Sequence, residues 1–460
     1  MAESTKDPTP RTRSELHVVH RDAAGIDIGA RQHYVAVPAD RAEAPVRTFG
    51  CTTPQLQAMA QWLLQCGVRT VAIESTGVYW VASAAVLEET GIEVWLVDAR
   101  QARTIPGRKT DVQDCQWLQQ LHTFGLLRRA FRPAQQIQPL RTLWRHRAGL
   151  VEHSAQQIHL MHKALEQMNV QLHKVLSDVT GVSGMRILRA ILAGQRDPAQ
   201  LVLLCHATCK RPQHEFIDAL TGHYRDDLLF TLRQAVETHD FHQKQIADCD
   251  TLIEQHLARL PHHADPAQLR TRPDAKRRSA KRRKNETHFD LRAQLYALTG
   301  VDLTQIEGID ARTAFTLISE QGLDMSAFPT EKHFASHLGL CPNHRITGGR
   351  IKRRATRKNP CRAATALRIA AQTLRRSPSA LGAFYRRMHA RLGAPKAITA
   401  TAHKLAKLIY RLLKHGQDYV RQGQEDYERR FREQQLKRLR KQAKRLGCEL
   451  IQSDTGEVLS

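Results

Sequence analysis

Hydrophobic and polar positions in the first hundred residues form two kinds of run. Short runs rich in β-forming residues predict strands at 24–28, 33–38, 46–51, 68–74 and 92–97. Runs with a helical period lie between the later strands, at 54–66 and 79–90, and a glycine follows each of them. A further helix is predicted to begin near Thr110.

The order of these elements is three strands, a helix, a strand, a helix, a strand and a helix. A mixed α/β sheet with this order is typical of a ribonuclease-H-like fold. We therefore predict one α/β domain of this kind over residues 23–130, preceded by a flexible N-terminus at 1–22.

Apolar residues beyond position 140 recur at the spacings of amphipathic helices. A long helix is predicted over 140–176, and a second one over 225–260 is expected to lie antiparallel to it, so that 140–260 forms a helical, coiled-coil region. Such helices are more typical of scaffolding or of an oligomer seam than of catalysis. Helices resume over 291–420 in a mostly helical C-terminal domain, and a basic helix is predicted in the tail, 421–460.

Charge divides the 460 residues into two parts. The chain has 70 Lys and Arg against 45 Asp and Glu, a formal net charge of +25, of which residues 1–120 contribute −2 and the remainder +27. Such an excess attracts phosphate backbones, so a nucleic acid is the expected partner. The basic stretch within 261–290 is predicted to be a linker or a disordered arm, either solvated or bound to phosphate.

Composition excludes several other classes of protein. Hydrophobic residues make up 41% of the chain, enough for ordinary cores. No apolar run approaches the roughly 18 residues that span a bilayer, and the polar N-terminus lacks a secretory signal. The nine cysteines are scattered, which favours a reducing compartment. We expect a cytoplasmic protein without membrane contact.

Four acidic residues stand where the predicted domain would bring them together. Asp27 lies in the first strand and Glu74 ends the fourth, and a carboxylate on an otherwise apolar strand is costly to bury without a cation. Asp111 and Asp114 are three residues apart and share one helical face. Carboxylate oxygens suit Mg²⁺, and two such ions about 3.5 to 4 Å apart can promote attack on a phosphate.

A structural role is the alternative for the two helix acids. Thr110 and Gln113 form a capping-box pattern, and acids in the first turn of a helix are stabilised by its dipole. Each acid taken alone is therefore weak evidence, and it is their order along the fold that favours a metal site.

Two patterns in the C-terminal part suggest contacts with phosphate. Residues 303–322 are similar to a helix-hairpin-helix with Gly308 in its turn, although Asp310 stands where a second glycine is common; a plain helical turn is the alternative. Further on, Thr347 precedes two glycines in a basic loop, where a hydroxyl could attack a phosphodiester. Chemistry alone favours the alternative, a Gly-Gly turn on a surface that binds nucleic acid.

Basic residues surround Thr347 and are expected to contact nucleic acid. They are Arg345, Arg350, Lys352, Arg353, Arg354, Arg357 and Lys358.

The acidic motifs resemble those of a known family. Gly25-Ile26-Asp27, Ile73-Glu74-Ser75-Thr76-Gly77, and Lys109-Thr110-Asp111 with Asp114 are similar to the Asp-Glu-Asp-Asp domain of a bacterial family of insertion-sequence transposases, the RNA-guided bridge recombinases. The resemblance covers roughly residues 23–420. It implies a RuvC-like domain in which Asp27, Glu74, Asp111 and Asp114 are catalytic and bind Mg²⁺.

The segment around Thr347 resembles the C-terminal transposase domain of the same family. At this position the family ordinarily has a serine that attacks DNA and becomes covalently linked to it. The resemblance implies the same catalytic role for Thr347, although the threonine methyl restricts its rotamers and crowds an in-line attack. It also implies a guide RNA that selects the DNA sites, and a homodimer that assembles into a tetramer.

The sequence thus predicts a DNA transposase or recombinase that acts by phosphoryl transfer. Two alternatives stay open. One is a metal-dependent, structure-selective nuclease in which the carboxylates cut alone, and the other is a catalytically impaired, transposase-derived protein that only binds RNA or DNA.

Overall fold

The protein divides into two compact units, residues 1–132 and 133–460. The computed structural model describes residues 17–74, 77–98, 110–207, 209, 211–270, 284–356 and 361–416, and, in the C-terminal part, residues 429, 433, 436–449 and 451. In this part of the chain, no helix has both the length and the apolar character needed to cross a membrane.

The first unit is built on a five-stranded sheet. Its strands are β1 (Ala23–Ile28), β2 (Gln32–Ala36), β3 (Val46–Gly50), β4 (Thr70–Glu74) and β5 (Glu93–Val97). Their order in the sheet is β3-β2-β1-β4-β5, in which β1, β4 and β5 are parallel and β2 is antiparallel to both neighbours. This is the sheet of a ribonuclease-H-like domain, so the predicted fold class of the first unit is confirmed.

Helices cover both faces of the sheet. They are α1 (Thr53–Gln65), α2 (Trp80–Glu89) and α3 (Asp111–Thr123). Side chains of β1 and β4 such as Ile26 and Ile73 share a core with α1 and α2. Residues on the other face share a second, smaller core with α3, in which Ala72 packs with Leu118.

Two buried histidines attach helices to opposite faces of the sheet. The ring of His33 on β2 is hydrogen-bonded to the hydroxyl of Ser83 on α2, and the ring of His122 on α3 to that of Thr70 on β4, each at 3.0 Å. Burial lowers the pKa of His122 to about 4, with a smaller contribution from His20. His122 is therefore neutral at physiological pH, and its role is structural.

The second unit is mostly helical. Its helices are α4 (Gln138–Gln167), α5 (Leu172–Val175), α6 (Val182–Leu192), α7 (Pro198–Val202), α8 (Gln213–Leu220), α9 (Asp226–Ala258), α10 (Leu291–Thr299), α11 (Ala311–Gln321), α12 (Glu331–His337), α13 (Arg362–Thr373), α14 (Ala380–Leu392) and α15 (Ala394–His415). Residues 436–445 of the tail are also helical.

The two long helices α4 and α9 pack side by side. Arg147 near the start of α4 contacts Asp250 near the end of α9, and further along, the Gln243 amide donates to Ser154 Oγ at 2.9 Å. The helices are therefore antiparallel, as expected. Supercoiling of this pair as a coiled coil stays a prediction.

The helix predicted over 140–176 is shorter than expected, because it ends at Gln167. Asn169 adopts a left-handed conformation with φ of 56°, which asparagine tolerates better than most residues. The amide of Val170 then bonds back to the carbonyl of Leu165 at 2.8 Å, and the chain turns before α5. Local backbone chemistry thus overrides the continuing apolar pattern.

The C-terminal part contains two strands where a basic loop was predicted. Strands β6 (Pro342–Thr347) and β7 (Arg350–Thr356) form an antiparallel hairpin. The β-branched residues and the Gly-Gly pair between the two runs favour this hairpin over a helix.

A buried ion pair joins α4 to α9 and to the chain that follows the basic stretch. The Arg147 guanidinium donates to both carboxylate oxygens of Asp250, at 2.5 and 3.1 Å, and to the carbonyls of Asn285 and Glu286 at 3.4 Å. Asp250 also accepts from the amide of His288 at 3.2 Å. Residues 285–288, within the predicted linker, are therefore packed against the helix pair.

A second set of ion pairs holds α4 against α11. Glu320 on α11 accepts from Arg141 and from both ends of the Arg145 fork, at 2.6 to 3.1 Å. Burial alone would raise the pKa of Glu320, but the bonds to the two arginines lower it below its usual value. Next to them, Trp144 Nε1 donates to the hydroxyl of Thr316 at 2.9 Å.

Replacement of Asp250 by Ala should strongly destabilise the second unit. Arg147 and Asp250 are 4% and 0% exposed, so the change leaves a buried arginine without its charge partner, at a cost of about 3–5 kcal/mol. Urea unfolding followed by a probe in the second unit measures this cost.

The matched control is Asp240→Ala, which removes the exposed pair between Asp240 and Arg189. We expect this change to cost no more than about 1 kcal/mol. Equal losses for the two variants would contradict the structural role assigned to the buried pair.

Candidate active site

Asp27 and Glu74 lie at the edge of the sheet where β1 and β4 end. The parallel register pairs Ile26 with Ile73, so Asp27 and Glu74 are the next residues of the two strands. Ile26 and Ile73 point into the core beneath α1 and α2. Because successive residues of a strand point to opposite faces, both carboxylates point to the face covered by α3.

The other two acids are in the first turn of α3. Thr110 is the N-cap, and its hydroxyl accepts from the amide of Gln113 at 3.3 Å, as the capping pattern predicted. Asp111 is exposed and Asp114 is half-buried. The cap therefore fixes the position at which α3 begins, and with it the two acids.

Electrostatics place the four carboxylates in one region. The pKa of Asp27 is raised from 3.8 to about 6, first by burial and then by repulsion from Asp111, Asp114 and Glu74, in that order. Such repulsion falls with distance. Capping and clustering are thus compatible, because the acids that stabilise the start of α3 also lie near the strand carboxylates.

Gly25 allows α3 to lie directly on β1. It is two residues before Asp27 and points to the same face, and a Cβ atom there would overlap the backbone of Gln119 and Cys115 on α3. Only a glycine permits this approach, which brings the start of α3 close to Asp27.

Cys115 is part of this contact and is not a reactive group. Its thiol donates to the carbonyl of Val112 at 3.1 Å. Burial, with the nearby charge of Asp27, raises the pKa of the thiol to about 12. It therefore stays protonated at neutral pH and is unsuited to be a nucleophile or a metal ligand.

The carboxylates fit a hard divalent cation in their chemistry. They offer only oxygen donors, and their mutual repulsion is what a bound cation would relieve. Over the described residues, however, no three His, Cys, Asp or Glu side chains converge closely enough to hold a metal ion. Closure around an ion would require rotation of carboxylates such as that of Asp111, which is exposed.

Thr347 lies at the tip of the hairpin formed by β6 and β7. It pairs with Arg350 across Gly348 and Gly349, whose φ angles of 54° and 71° are typical of a two-residue type I′ turn. Thr347 is exposed. The structure thus shows a Gly-Gly turn on a basic hairpin, and whether the hydroxyl is also a nucleophile stays a prediction.

The predicted nucleic-acid contacts follow the same hairpin. Arg350 and Lys352 are exposed on β7. The strands also contain three more of the predicted residues, whose side chains lie outside the described part of the structure: Arg345, Arg353 and Arg354. Arg357 and Lys358 lie outside the described residues.

Gly308 has a packing role that the sequence did not suggest. Its φ is 85°, and a Cβ atom there would crowd the carbonyl of Ala370 on α13 at 3.1 Å. Asp310 caps α11 by accepting from the amide of Thr313 at 2.8 Å. These contacts explain both residues without a phosphate, and a helix-hairpin-helix contact of Gly308 with nucleic acid stays a prediction.

Comparison with known families finds two matches. Residues 24–170 match the family model DEDD_Tnp_IS110, described as a transposase, and residues 300–386 match the model of the transposase IS116/IS110/IS902 family. The two segments together cover about half of the chain. No curated protein matches the sequence.

A ribonuclease-H-like sheet lies in a segment that matches a transposase model. The two matches support an insertion-sequence transposase, because both segments are similar to domains of transposases of the IS110 family.

Gly25 belongs to the motif Gly25-Ile26-Asp27, but the sequence alone predicts no role for it. The signal for it is a glycine inside an apolar strand, which often marks a close backbone approach. The partner in that approach, the backbone of α3, is at least ninety residues away in sequence, so only the structure identifies it.

Replacement of Gly25 by Ala should destabilise the first unit by about 1–3 kcal/mol, because α3 must move away from β1. The same shift should weaken any effect of Mg²⁺ on the melting temperature. Gly149→Ala is the control, since a Cβ atom there meets nothing within 4 Å. Unchanged stability of Gly25→Ala would show that α3 does not lie against the strand.

Replacement of Asp27 by Asn should stabilise the metal-free protein at neutral pH. The folded-state pKa of about 6 lies above the unfolded value near 3.8, so the stability from this carboxyl is complete below pH 3.8 and lost as pH rises through 6. Asparagine does not titrate. The melting temperature of the variant should therefore match that of the wild type near pH 4 and exceed it above pH 6.

Melting curves in EDTA from pH 4 to pH 8 test this expectation, with the exposed Asp40→Asn as the control. Addition of Mg²⁺ above pH 6 should raise the melting temperature of the wild type and of Asp40→Asn only. An Asp27→Asn curve parallel to the wild type at every pH would exclude the carboxylate cluster.

Proposed function

We propose that this transposase cuts and rejoins DNA through the hydroxyl of Thr347, assisted by Mg²⁺ at Asp27, Glu74, Asp111 and Asp114. The observation that carries the proposal is the electrostatic repulsion that Asp111, Asp114 and Glu74 exert on Asp27, in a segment matching a transposase model. The second match includes Thr347. The net charge of +25 fits a substrate and a guide that are both polyanions.

The proposed cutting step conserves phosphodiester bonds. The Thr347 hydroxyl loses its proton to water, and its oxygen forms a bond to the phosphorus. The bond from that phosphorus to one sugar oxygen breaks, and this oxygen takes a proton from water. One strand end is then joined to the protein through a phosphothreonine linkage, and the other carries a free hydroxyl.

Rejoining is the reverse of this step with a different strand. A free sugar hydroxyl attacks the phosphothreonine linkage and releases Thr347. Because no phosphodiester bond is lost, no external energy source is needed. Bound Mg²⁺ would neutralise charge on phosphate oxygens, and the described cations of the hairpin, Arg350 and Lys352, would hold the backbone.

The hairpin supports this role for Thr347 by its geometry. A two-residue turn with two left-handed glycines is short, so Thr347 is held at a defined tip and not on a long loop. The tip is exposed and can reach a DNA backbone without rearrangement of a core. The threonine methyl limits the rotamers from which the hydroxyl can attack.

Guidance by a noncoding RNA and assembly of a homodimer into a tetramer complete the proposal. The +27 net charge of residues 121–460 can hold an RNA as well as DNA. Base pairing by such an RNA would select the DNA sites, so the protein would need mainly backbone contacts.

Covalent trapping tests the nucleophile. A nicked DNA substrate that loses its leaving strand should accumulate a protein–DNA adduct with the wild type, and Thr347→Ala should reduce this adduct at least 100-fold. Thr347→Ser removes the methyl and should retain or increase the adduct. Denaturing gels of labelled DNA measure the adduct. The measurement is repeated after the purified complex has been treated with ribonuclease, which would degrade a guide RNA.

The control is Ser336→Ala, which removes another exposed hydroxyl of the same match. Cleavage without an adduct, unaffected by Thr347→Ala but abolished by Asp27→Asn, would replace the proposal by the structure-selective nuclease. Binding without any cleavage would leave a protein that only binds nucleic acid.

A further inference from the structure

Helix α9 carries an apolar stripe on its solvent-facing side. Phe230, Phe241 and Leu252 are 59%, 58% and 41% exposed, which is unusual for side chains of this size. They are eleven residues apart, very nearly three helical turns, so they fall on one line along the helix. The residues that α9 buries, such as Leu232 and Leu257, lie about half a turn away.

Polar residues repeat with the same period on this face. Gln234 and Gln245 each follow a phenylalanine by four residues, and Glu237 and Asp248 follow by seven. Except for Gln245, which is half-buried, these side chains are exposed. An eleven-residue repeat stays close to the natural pitch of the helix, so the stripe runs straight over about 33 Å.

The charge of α9 argues against nucleic acid as the partner of the stripe. Between Asp226 and Ala258 there are seven acidic and two basic residues, a net charge of −5 in a chain of +25. An acidic helix repels phosphate backbones. An exposed apolar stripe on such a helix is therefore suited to a protein surface.

The stripe is complementary to itself when two copies of α9 run antiparallel. With Phe241 at the centre, Phe241 faces its own copy, and Phe230 of each helix faces Leu252 of the other. The same register places Gln234 opposite Asp248 and Glu237 opposite Gln245. Each carboxylate then meets an amide that can donate to it, and no two carboxylates face each other.

We infer that two copies of this chain associate through α9, antiparallel and about a twofold axis at Phe241. Such an interface is isologous, since the same patch serves on both copies. The inference identifies the contact surface of the proposed homodimer and in that respect rests on the proposed function. Its evidence is the surface of α9 alone. It can therefore be tested without DNA.

Self-association of the full-length protein, measured by sedimentation equilibrium after nuclease treatment, tests the interface. Phe241→Arg places two like charges on the twofold axis and should weaken association about 30-fold or more, as expected for a central contact residue. Phe241→Gln, which adds no charge, should weaken it less. Because Phe241 is exposed, both variants should keep the wild-type melting temperature at concentrations where the wild type is monomeric.

The matched control is Leu203→Arg. Leu203 is 68% exposed in the second unit but lies outside the stripe, so this change should leave association unaltered. A wild type that stays monomeric at every concentration, or a Phe241→Arg variant that associates like the wild type, would overturn the inference.

A charge swap tests the antiparallel register. Phe230→Arg and Leu252→Glu should each weaken association, whereas the double variant should recover most of it, because each Arg then faces a Glu of the other copy. Parallel helices would place like charges together, and the double variant would be the weakest of the three. That result would overturn the proposed register.

This test and the trapping test can fail separately. If the wild-type protein forms the Phe241-dependent dimer but no adduct, only the proposed chemistry is overturned. If Thr347 forms the adduct but substitution of Phe241 does not change association, only the proposed interface is overturned.

Discussion

The contact between α3 and β1 at Gly25 is the packing constraint on which the candidate active site depends. Two acids stand on strands and two on a helix, so their spacing is set by how closely the helix lies on the sheet. A side chain at position 25 would push that helix away. Burial, followed by repulsion from the other three carboxylates, raises the pKa of Asp27 to about 6. Packing of the rest of the unit, including the bond between His122 and Thr70, maintains the contact.

Sequence patterns predicted the first unit well because its signals are local. The strands are short, with five or six residues each, and Thr110 caps its helix through contacts within four residues. The four acids could be grouped because the order of elements in a known fold brings them to one edge. The place where α3 lies on the sheet could not be predicted, since Gly25 meets a backbone at least ninety residues away.

The second unit was harder to predict, because its determinants are long-range or confined to the backbone. A left-handed Asn169 ends α4 although the apolar pattern continues. The bonds from Arg147 to Asp250 and to Asn285 join segments more than a hundred residues apart. The hairpin that carries Thr347 was taken for a loop, although paired glycines after a strand-like run favour a tight turn. The packing of Gly308 against α13 also depends on a residue distant in sequence, while its contact with phosphate stays a prediction.

The acidity of α9 has a consequence for how assembly responds to salt. Contacts with phosphate backbones weaken steeply as the salt concentration rises, because the release of condensed counterions on binding then gains less entropy. An apolar interface with neutral amide partners changes little. The two kinds of association in this molecule would then be separable by ionic strength alone. At high salt the purified protein would be a dimer free of nucleic acid. Lowering the salt would then allow DNA and RNA to bind to a dimer whose twofold symmetry is already formed.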